Sequence, residues 1–485
     1  MPVLEGLLTL LNDGDGSATA ICPSTVRGAV TRGRLTDDVG LFATRVAATA
    51  RHASADASVW VSGRDPYLVL VSVLGALHGH SVALVEAEGP PDGYRALALA
   101  CPPALVVGDR TDAGVMRWAR ANGHRMLQAE WTAHARSSFP RTSPRDDVVL
   151  QFFTSGTTGT PKCVGIGRDQ LISAVQGVAR RLSLTPADTS LSTAPLTHTL
   201  GMITTILVPL VSGGTVAFAD PKQPREFLAA LARSRPTWCA ASPAGHQLVY
   251  RLMSGAGAEW PGLRFLRASA APLAADVARQ LEDHYSAPVI SAYVMTEAPG
   301  EIASQAPDRD RRAGTVGKPT LCDVEIRSEG RLLPAGRSGE IWIRGPNVVP
   351  AGRAWVPTKD VGWLDDDGFL RVTGRVDDII NSGGLKIWPP DVEIAARADP
   401  VVATAVAFPV PHPGMGETVG LAVVPVPGRT VDRAALRRRL RATLPRSAWP
   451  STIVVCAEIP RSARGKISRR RLWLQLPGVR ARIRP

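Results

Sequence analysis

Short apolar runs alternate with helical stretches along the first 135 residues, and this alternation limits the possible folds more than any other feature of the chain. Three of the apolar runs read SVWVSG, SVALVEA and PALVVGD. Strands that alternate with helices are typical of a largely parallel sheet with helices on its faces. The pattern therefore predicts an α/β fold. The most apolar segment, from Tyr67 to Val85, is expected to form a buried strand, helix and strand.

The same alternation continues through the middle of the chain and returns near its end. The stretch DQLISAVQGVARRL is predicted to form an amphipathic helix, because its apolar residues fall on one face: Leu171, Ile172, Val175, Val178 and Ala179. The stretch VEIRSEGRLLPAGRSGEIWIRG is expected to form β-structure around Gly and Pro turns, and a small α/β unit is predicted after Arg375. A chain of 485 residues is too long for one core, so two or more domains are expected.

Positive charge is concentrated near the end of the chain. The net charge is +13, and residues 378–485 carry 18 Lys and Arg against 7 Asp and Glu, which leaves 38 against 36 for residues 1–377. We do not predict nucleic-acid binding, because the arginines are not accompanied by aromatic stacking residues, a zinc finger or a helix-turn-helix. The basic segment, including Arg437 to Arg439, is interpreted as a solvated face or as one that meets an anionic small molecule or an acidic carrier protein.

Neither a membrane span nor a secretory leader is predicted. No apolar stretch is long enough to cross a bilayer, and the start, MPVLEGLLTLLNDGDG, has neither a basic leader nor a sufficient apolar core. The six cysteines form no CxxC pair and the nine histidines form no ligand cluster, which argues against a disulfide framework or a zinc site. We expect a cytoplasmic protein.

The stretch TSGTTGTPK, residues 154–162, gathers hydroxyl groups and glycines before one lysine. Such a loop can turn backbone N–H groups and hydroxyls toward a polyanion. It is not the usual P-loop, because Pro161 stands where that pattern requires its second glycine. The loop is interpreted either as a different phosphate loop or as a polar turn without a ligand. Only six of the 56 basic residues are lysines, which favours specific roles for some of them.

Four further stretches carry residues suited to nucleotide chemistry. SAYVMTEAPG, residues 291–300, places an aromatic ring, a hydroxyl and a carboxylate at the end of a strand, where ligand sites of α/β proteins gather. Residues 358–378 contain Asp360, whose carboxylate can bind the two hydroxyls of a ribose. NSGGLKIWPPDVE contains a Gly pair that lets the backbone approach a ligand, and PRSARGKISRR sets Lys466 in a basic loop. Each stretch alone is also compatible with a turn, an ion pair or a solvated loop.

Together and in this order, the five stretches resemble the adenylate-forming ligase superfamily, which includes acyl-CoA synthetases, peptide-synthetase adenylation domains and firefly luciferase. The resemblance implies a large N-terminal α/β domain with a β-rich subdomain, residues 1–376, that binds ATP and an acid. It also implies a small mobile C-terminal α/β domain, residues 377–485, that carries the catalytic lysine. ATP and Mg²⁺ are the implied cofactors, and CoA is the implied co-substrate.

The resemblance assigns nucleotide roles to individual residues. Tyr293 would lie against adenine, Thr296 near the phosphates and Glu297 on Mg²⁺. Asp360 would bind ribose beside Arg375. The residues that would hold the phosphates of ATP are Thr154, Ser155, Gly156, Thr157, Thr158, Gly159 and Lys162.

The resemblance also assigns catalytic, hinge and acceptor roles. Lys466 would act in the first half-reaction, and Asp377 would lie at the interdomain hinge. His198 would lie between the nucleotide and acid sites, with a buried structural histidine as an equal alternative. Gly383 and Gly384 would cover a thiol channel, with a plain hairpin turn as the alternative. The residues expected to wall the acid pocket are Ser269, Ala270, Ala271 and Gly300.

Within the superfamily, AYVMTEA, RGPNV and GRLLPAG look closest to the oxalate-type CoA ligases, but three positions depart from the pattern. Those ligases carry a histidine where this chain has Gly300, so an oxalate-like diacid would lose a cationic partner. Lys359 replaces the glycine of a Thr-Gly-Asp motif, and it either points outward or binds an anion. Ser269-Ala270-Ala271 replaces a Gly-Gly turn of the pocket wall, which is expected to narrow the pocket slightly.

The resemblance implies ATP-dependent activation of a small carboxylic acid, with aromatic acids among the candidates, as acyl-AMP, followed by transfer to the thiol of CoA. The Arg- and Ala-rich composition suits a high-GC bacterium, where such enzymes serve specialised metabolism such as antibiotic biosynthesis. Three alternatives stay open. In the first, the acceptor of the acyl group is a carrier protein instead of CoA. In the second, the acid is nitrite, which is adenylated to diazotise an aromatic amine. In the third, the chain binds a nucleotide without catalysis.

Overall fold

The computed structural model describes residues 16–22, 28–50, 57–130, 148–155, 161–309, 311–350, 352, 354–460 and 467–476. Contacts between residues divide the chain into two compact units. The first comprises residues 1–324, 343–356 and 365–371, and the second comprises residues 325–342, 357–364 and 372–485. This division groups two β segments with the C-terminal residues, whereas the domain boundary expected after residue 376 remains a prediction.

A six-stranded sheet of the first unit has the order β6-β5-β3-β4-β7-β8. Neighbouring strands run parallel except β7 and β8, which form an antiparallel pair. The strands are β3 (Ser58–Ser62), β4 (Val82–Leu84), β5 (Pro103–Gly108), β6 (Met126–Gln128), β7 (Val148–Ser155) and β8 (Pro161–Gly167).

A nine-stranded sheet of the same unit has the order β15-β14-β13-β12-β11-β9-β10-β1-β2. The strands from β13 to β1 in this order are parallel neighbours, while β2, β14 and β15 pair antiparallel at the edges. The strands are β1 (Thr19–Cys22), β2 (Val30–Thr31), β9 (Thr189–Ser192), β10 (Thr215–Phe218), β11 (Trp238–Ala241), β12 (Phe265–Ala268), β13 (Val289–Met295), β14 (Ala298–Ser304) and β15 (Lys318–Pro319).

Helices connect these strands, as the sequence pattern predicts. A π-helix spans Leu200–Leu207, and none of the helices in the described part of the chain has both the length and the apolarity that a membrane crossing needs. The α-helices of the first unit are α1 (Arg32–Thr49), α2 (Pro66–Ala76), α3 (Pro91–Ala100), α4 (Gly114–Ala121), α5 (Arg168–Arg181), α6 (Val208–Val211), α7 (Pro224–Ser234), α8 (Pro243–Ala256) and α9 (Ala275–Tyr285).

Buried apolar side chains join the two sheets of the first unit into one core. Val59 of β3 and Val216 of β10 belong to the same buried cluster. Helix α5 contributes Leu171, Val175 and Val178, each at most 1% exposed, while Ile172 and Ala179 are half-buried. The amphipathic helix predicted from their spacing is confirmed.

The segment from Tyr67 to Val85 contains one helix and one strand, so the strand predicted at its start is wrong. The side chain of Asp65 accepts hydrogen bonds from the backbone N–H groups of Tyr67 and Leu68, and Pro66 occupies the first helical turn. An Asp cap followed by Pro is a strong start signal for a helix. The apolar run therefore continues as helix α2 from its first residue.

A five-stranded sheet has the order β17-β16-β18-β19-β20. It corresponds to the predicted β-structure around Gly and Pro turns. Its strands are β16 (Asp323–Ser328), β17 (Arg331–Leu332), β18 (Gly339–Arg344), β19 (Val356–Leu364) and β20 (Leu370–Arg375).

The C-terminal part of the second unit is the predicted small α/β structure. Its sheet has the order β22-β21-β24-β23, with β25 parallel to β24, and its core includes Val392, Leu421 and Leu436. The elements are β21 (Ile380–Ser382), β22 (Leu385–Ile387), α10 (Pro389–Arg397), β23 (Val402–His412), β24 (Gly416–Pro425), α11 (Arg433–Thr443), β25 (Thr452–Val455) and α12 (Arg469–Gln475).

Helix α8 is fixed to strand β12 by a buried histidine. His246 is 1% exposed, and its Nε2 atom lies 3.0 Å from the carbonyl oxygen of Arg267. Because a carbonyl only accepts, Nε2 carries the proton and donates it. Burial lowers the pKa of His246 to about 4, although the hydrogen bond to Arg267 opposes this shift.

Lys359 adopts a left-handed backbone conformation within strand β19, with φ at +61°. The buried side chain of Thr358 accepts from the backbone N–H of Asp360 at 3.1 Å and donates to the carbonyl of Ile341 at 2.9 Å. These bonds hold the chain on each side of Lys359. A Cβ atom is strained at this φ, which accounts for the glycine expected at this position.

We predict that acid weakens the fold through His246. An unfolded histidine has a pKa near 6.5, so between pH 6.5 and 4 the unfolded chain binds more protons than the folded chain. Stability therefore falls as the pH is lowered through this window, by about 3 kcal/mol for this group. Urea unfolding of the wild type and of His246→Gln at a series of pH values measures the effect. A difference between the two proteins that stays constant from pH 7 to 4 would contradict it.

We predict that Lys359→Gly stabilises the chain. Glycine removes the strained Cβ, and the gain is about 1 kcal/mol or less, because glycine also increases the freedom of the unfolded chain. Lys359→Ala is the matched control, since it removes the charge and keeps the Cβ. Urea unfolding compares the three proteins. An equal gain in the alanine variant would assign the effect to charge instead of backbone strain.

Candidate active site

The structure brings the lysine of the predicted phosphate loop and the predicted magnesium ligand together. The Nζ atom of Lys162 lies 3.0 Å from Oε1 of Glu297. The side chain of Lys162 is 61% exposed and that of Glu297 is 23% exposed. Lys162 lies on β8, Glu297 follows the end of β13, and the two strands belong to different sheets. The two residues therefore form an accessible pair of opposite charges where the sheets meet.

Strands β7 and β8 flank the predicted phosphate loop. Thr154 of β7 pairs in register with Lys162 of β8, and Ser155 pairs with Pro161. The antiparallel pairing holds the two ends of the loop side by side. The other loop residues, Gly156, Thr157, Thr158 and Gly159, lie outside the described residues, as does Lys466, and their roles stay predictions.

Strand β13 delivers the aromatic, hydroxyl and carboxylate residues in the predicted order. Tyr293 lies on the strand and is 8% exposed, whereas Thr296 and Glu297 follow its end at Met295. The backbone N–H of Val349 donates to the carbonyl oxygen of Glu297 at 2.7 Å. A carboxylate oxygen is the kind of ligand that Mg²⁺ prefers, so the chemistry of Glu297 fits its predicted role.

Gly300 lies in a tight part of strand β14. It has φ at +84°, and a Cβ built on it would lie 3.0 Å from the Cβ of Ala174 on helix α5. A side chain at this position would strain the backbone and press on the helix. The glycine that departs from the oxalate-type pattern is therefore required by the local geometry of this chain.

The predicted ribose residues form an ion pair within the second unit. The Nη1 atom of Arg375 lies 3.4 Å from Oδ1 of Asp360. The side chain of Asp360 is 15% exposed and that of Arg375 is 50% exposed. The two residues are therefore brought together, as the resemblance implies.

The predicted hinge residue lies in a short 3₁₀ turn, Val376–Asp378. Arg470 donates from Nε to the carbonyl of Asp377 at 2.8 Å and from Nη2 to the carbonyl of Ile379 at 2.9 Å. Arg469 forms an ion pair with Asp378 at 3.4 Å. Neither arginine was predicted from the sequence as a site residue. The available signal was their position three and four residues after Lys466 in the chain.

His198 is exposed, so its alternative interpretation as a buried structural histidine is wrong. It precedes the π-helix, and its backbone N–H donates to the carbonyl of Pro195 at 3.2 Å. The neighbouring Thr197 donates through its hydroxyl to Glu86 at 2.8 Å. The catalytic role of His198 stays a prediction. His246, which was not singled out from the sequence, is a buried histidine bound to a backbone carbonyl.

The predicted wall of the acid pocket is only partly buried. Ser269 is fully buried, and its Oγ has no hydrogen-bond partner among the described residues. Ala270 and Ala271 are exposed, and Ala270 has φ at +66°. The usual Gly-Gly turn is therefore replaced by an alanine in a left-handed conformation. The lining role of these residues stays a prediction.

Gly383 and Gly384 form the two-residue turn between β21 and β22. Their φ angles are +58° and +85°. Positive φ at both positions is typical of the tight hairpin turns that join antiparallel strands. The hairpin alternative is thus present in the structure, and a role near a thiol channel stays a prediction.

Comparisons with known proteins identify the family of the chain. The AMP-binding enzyme family matches residues 76–351, and the AMP-binding enzyme C-terminal domain matches residues 391–466. A probable CoA ligase from Humulus lupulus is 35% identical over 347 residues, which cover 68% of this chain and 66% of the relative. An oxalate–CoA ligase from Arabidopsis thaliana is 34% identical over 343 residues, which cover 67% of each chain. The chain thus matches about two thirds of the length of these relatives.

A solved structure shares the fold over nearly the whole chain. ATP-bound MatB from Rhodopseudomonas palustris superimposes with a TM-score of 0.83 at 24% identity, over 96% of this chain and 97% of that one. This confirms the predicted fold class, an α/β structure of the adenylate-forming type. The chain therefore belongs to the AMP-binding enzyme family, within the adenylate-forming, acyl-CoA synthetase-like superfamily of AMP-forming ligases.

Proposed function

We propose that the chain activates a small monocarboxylic acid with ATP and passes the acyl group to the thiol of CoA. The observation that carries the proposal is the 3.0 Å pair of Lys162 and Glu297. It joins a cation on the strand after the phosphate loop to a carboxylate beside the predicted adenine residue, Tyr293. Two relatives that are named as CoA ligases support the same chemistry.

The charges of the site fit the proposed first half-reaction. A carboxylate must attack an α-phosphate that is itself anionic, so catalysis depends on positioning and neutralisation. When ATP binds, Lys162 exchanges Glu297 for a phosphate oxygen, and the released carboxylate is available to a metal ion. Glu297 would hold Mg²⁺, which neutralises phosphate charge when bound. Lys466 supplies a second cation as pyrophosphate leaves.

The ion pair of Asp360 and Arg375 supports a ribose site on the second unit. A carboxylate accepts hydrogen bonds from the two ribose hydroxyls, and the guanidinium at 3.4 Å keeps it in one orientation. Asp360 is 15% exposed, which leaves an accessible face for a ligand. Lys359 is exposed beside it, so the outward orientation is the one that the proposal adopts.

The surroundings of Gly300 support a monocarboxylic acid over a diacid. The position that carries a histidine in oxalate-type ligases holds no side chain here, and a Cβ at this position would be strained by the φ of +84° and lie only 3.0 Å from the Cβ of Ala174. A second carboxylate of the substrate would therefore lack the cation that this position supplies in those ligases. An aromatic acid and a role in bacterial specialised metabolism are further parts of the proposal. The Arg- and Ala-rich composition supports the bacterial origin, and the acid panel below tests the aromatic substrate.

The tight hairpin at Gly383 and Gly384 supports CoA as the acceptor. A turn without side chains lets the backbone pass close to a narrow group such as the pantetheine arm. The adenylate is a mixed anhydride, so a thiolate attacks its carbonyl carbon and AMP leaves. Loading of a carrier protein uses the same step with another thiol, and the assay below separates the two acceptors.

The proposal predicts pyrophosphate release that depends on a carboxylic acid. The purified protein is incubated with Mg-ATP and a panel of aliphatic and aromatic acids or nitrite, with and without CoA. We expect release with one monocarboxylic acid, and an acyl-CoA product when CoA is present. Release without a CoA product would favour a carrier protein as acceptor. Release with nitrite alone, with a diazo product from an added aromatic amine, would replace the proposal by diazotisation.

The proposal also predicts that Lys466→Ala strongly lowers adenylation without abolishing ATP binding. Loss of the cation leaves charge uncompensated as pyrophosphate leaves, and we expect pyrophosphate release to fall by about 10²-fold or more. Calorimetry with Mg-ATP measures binding separately. Lys222→Ala is the control, because it removes another exposed lysine to which no role in the site is assigned. Normal adenylation by Lys466→Ala would contradict the mechanism.

A further inference from the structure

The strand that follows Glu297 departs from regular pairing. Strand β14 pairs with β13 at Met295 with Ala298 and at Tyr293 with Ala303, and the register shifts between these two points. Such a bulge disrupts the ladder, so nearby buried backbone groups need other partners. Residues 298–304 are all buried. The carbonyl groups of residues 299–301 obtain their partners from side chains.

Asn347 supplies two of these partners. Its Nδ2 donates to the carbonyl of Pro299 at 2.9 Å and to the carbonyl of Glu301 at 3.1 Å. Asn347 is completely buried. Two residues further along the same loop, the N–H of Val349 donates to the carbonyl of Glu297 at 2.7 Å. One loop therefore holds the backbone at Glu297 and just beyond it.

A cysteine fixes the orientation of the Asn347 amide. The thiol of Cys322 donates to Oδ1 of Asn347 at 3.0 Å. Burial raises the pKa of Cys322 to about 12, so the thiol stays protonated and remains a donor at neutral pH. With Oδ1 occupied by the thiol, the two hydrogens on Nδ2 face the two carbonyls. The amide thus has a defined direction and all of its hydrogens are used.

Arg267 holds the same strand from another direction. Its Nη2 donates to the carbonyl of Gly300 at 3.2 Å and to Oε2 of Glu301 at 3.2 Å, and both side chains are completely buried. Gly300 itself packs against Ala174. Three successive carbonyl groups are therefore held by side chains. Breaking these bonds would leave buried carbonyl oxygens without donors, and the free-energy cost of that state stabilises the bonds.

We propose that Asn347 is a positioning residue for adenylation. By fixing the backbone between Glu297 and Glu301, it keeps the carboxylate of Glu297 directed toward the metal and nucleotide side of the site. The inference rests on the proposed role of Glu297 as the magnesium ligand. Asn347 belongs to the RGPNV stretch, which the mechanism has not otherwise used.

The test compares two buried amides that make the same kinds of bonds. Asn347→Leu removes the donors and keeps the branched shape and the number of side-chain heavy atoms. Gln305→Leu is the matched control, because its Nε2 also donates to two carbonyls, those of Arg312 at 2.9 Å and Thr315 at 3.3 Å. Pyrophosphate release is measured against Mg²⁺ concentration, calorimetry measures the binding of Mg-ATP apart from turnover, and thermal melting reports the fold. We expect the half-saturating Mg²⁺ concentration to rise at least tenfold in Asn347→Leu and to stay near the wild-type value in Gln305→Leu.

Two outcomes would overturn the inference. One is a wild-type Mg²⁺ dependence in Asn347→Leu, and the other is an equal shift in both variants, which would indicate a general structural loss. If Asn347→Leu does not fold, Asn347→Asp, which keeps the oxygen that faces Cys322, is judged by the same criterion. Glu297→Gln distinguishes a failure of the proposed role of Glu297 from a failure of the proposed role of Asn347. An unchanged Mg²⁺ dependence there would remove the proposed role of Glu297, whereas a weakened one beside a normal Asn347→Leu would remove only this inference.

Discussion

The parallel pairing of the nine-stranded sheet is the constraint on which the candidate site depends. Strands β9, β11, β12 and β13 are parallel neighbours, so their carboxyl ends lie along one edge. The loops after β9, β12 and β13 carry His198, Ser269 and Glu297. The parallel pairing therefore brings residues that are far apart in the sequence to the same edge of the sheet. The contact of Glu297 with Lys162 then connects this edge to the strand pair of the six-stranded sheet.

Elements could be predicted from the sequence where the spacing of their apolar residues matches the face that they bury. Helix α5 has its apolar residues on one face and buries that face, so spacing alone identified it. The five ordered motifs identified the superfamily, because each places a chemically demanding residue at a defined position. The segment after Asp65 was misread because a continuous apolar run lacks a period. The cap that decides its start consists of only two residues, Asp65 and Pro66.

Contacts that depend on tertiary geometry were beyond the sequence. Nothing in a single sequence distinguishes exposed His198 from buried His246, because the difference lies in which strand each residue meets. The same applies to Asn347 and to Arg470, because each donates to two backbone carbonyls, which have no side-chain identity to recognise. From the sequence, Gly300 was interpreted as the loss of the histidine found in oxalate-type ligases. In the structure, its φ of +84° and its closeness to Ala174 favour glycine at this position.

Two departures from the family pattern share one physical property. Lys359 and Ala270 both adopt left-handed conformations at positions where glycine is usual, with φ at +61° and +66°. Such residues persist where the surrounding structure over-determines the backbone. At Lys359 the buried Thr358 provides that restraint. At Ala270 the preceding Ser269 donates its N–H to Ala241 at 3.1 Å. The fold thus retains the backbone shape after the glycine has been lost.

The ion pair of Lys162 and Glu297 has a consequence for ligand selection. In the free chain each charge is already neutralised by the other, so a lone anion must compete with a carboxylate and a lone cation must compete with an ammonium group. A ligand that brings a polyphosphate together with its own divalent ion supplies both replacements in one event. The pair therefore works against either ion alone and in favour of their complex, which is a form of discrimination set by charge balance instead of shape.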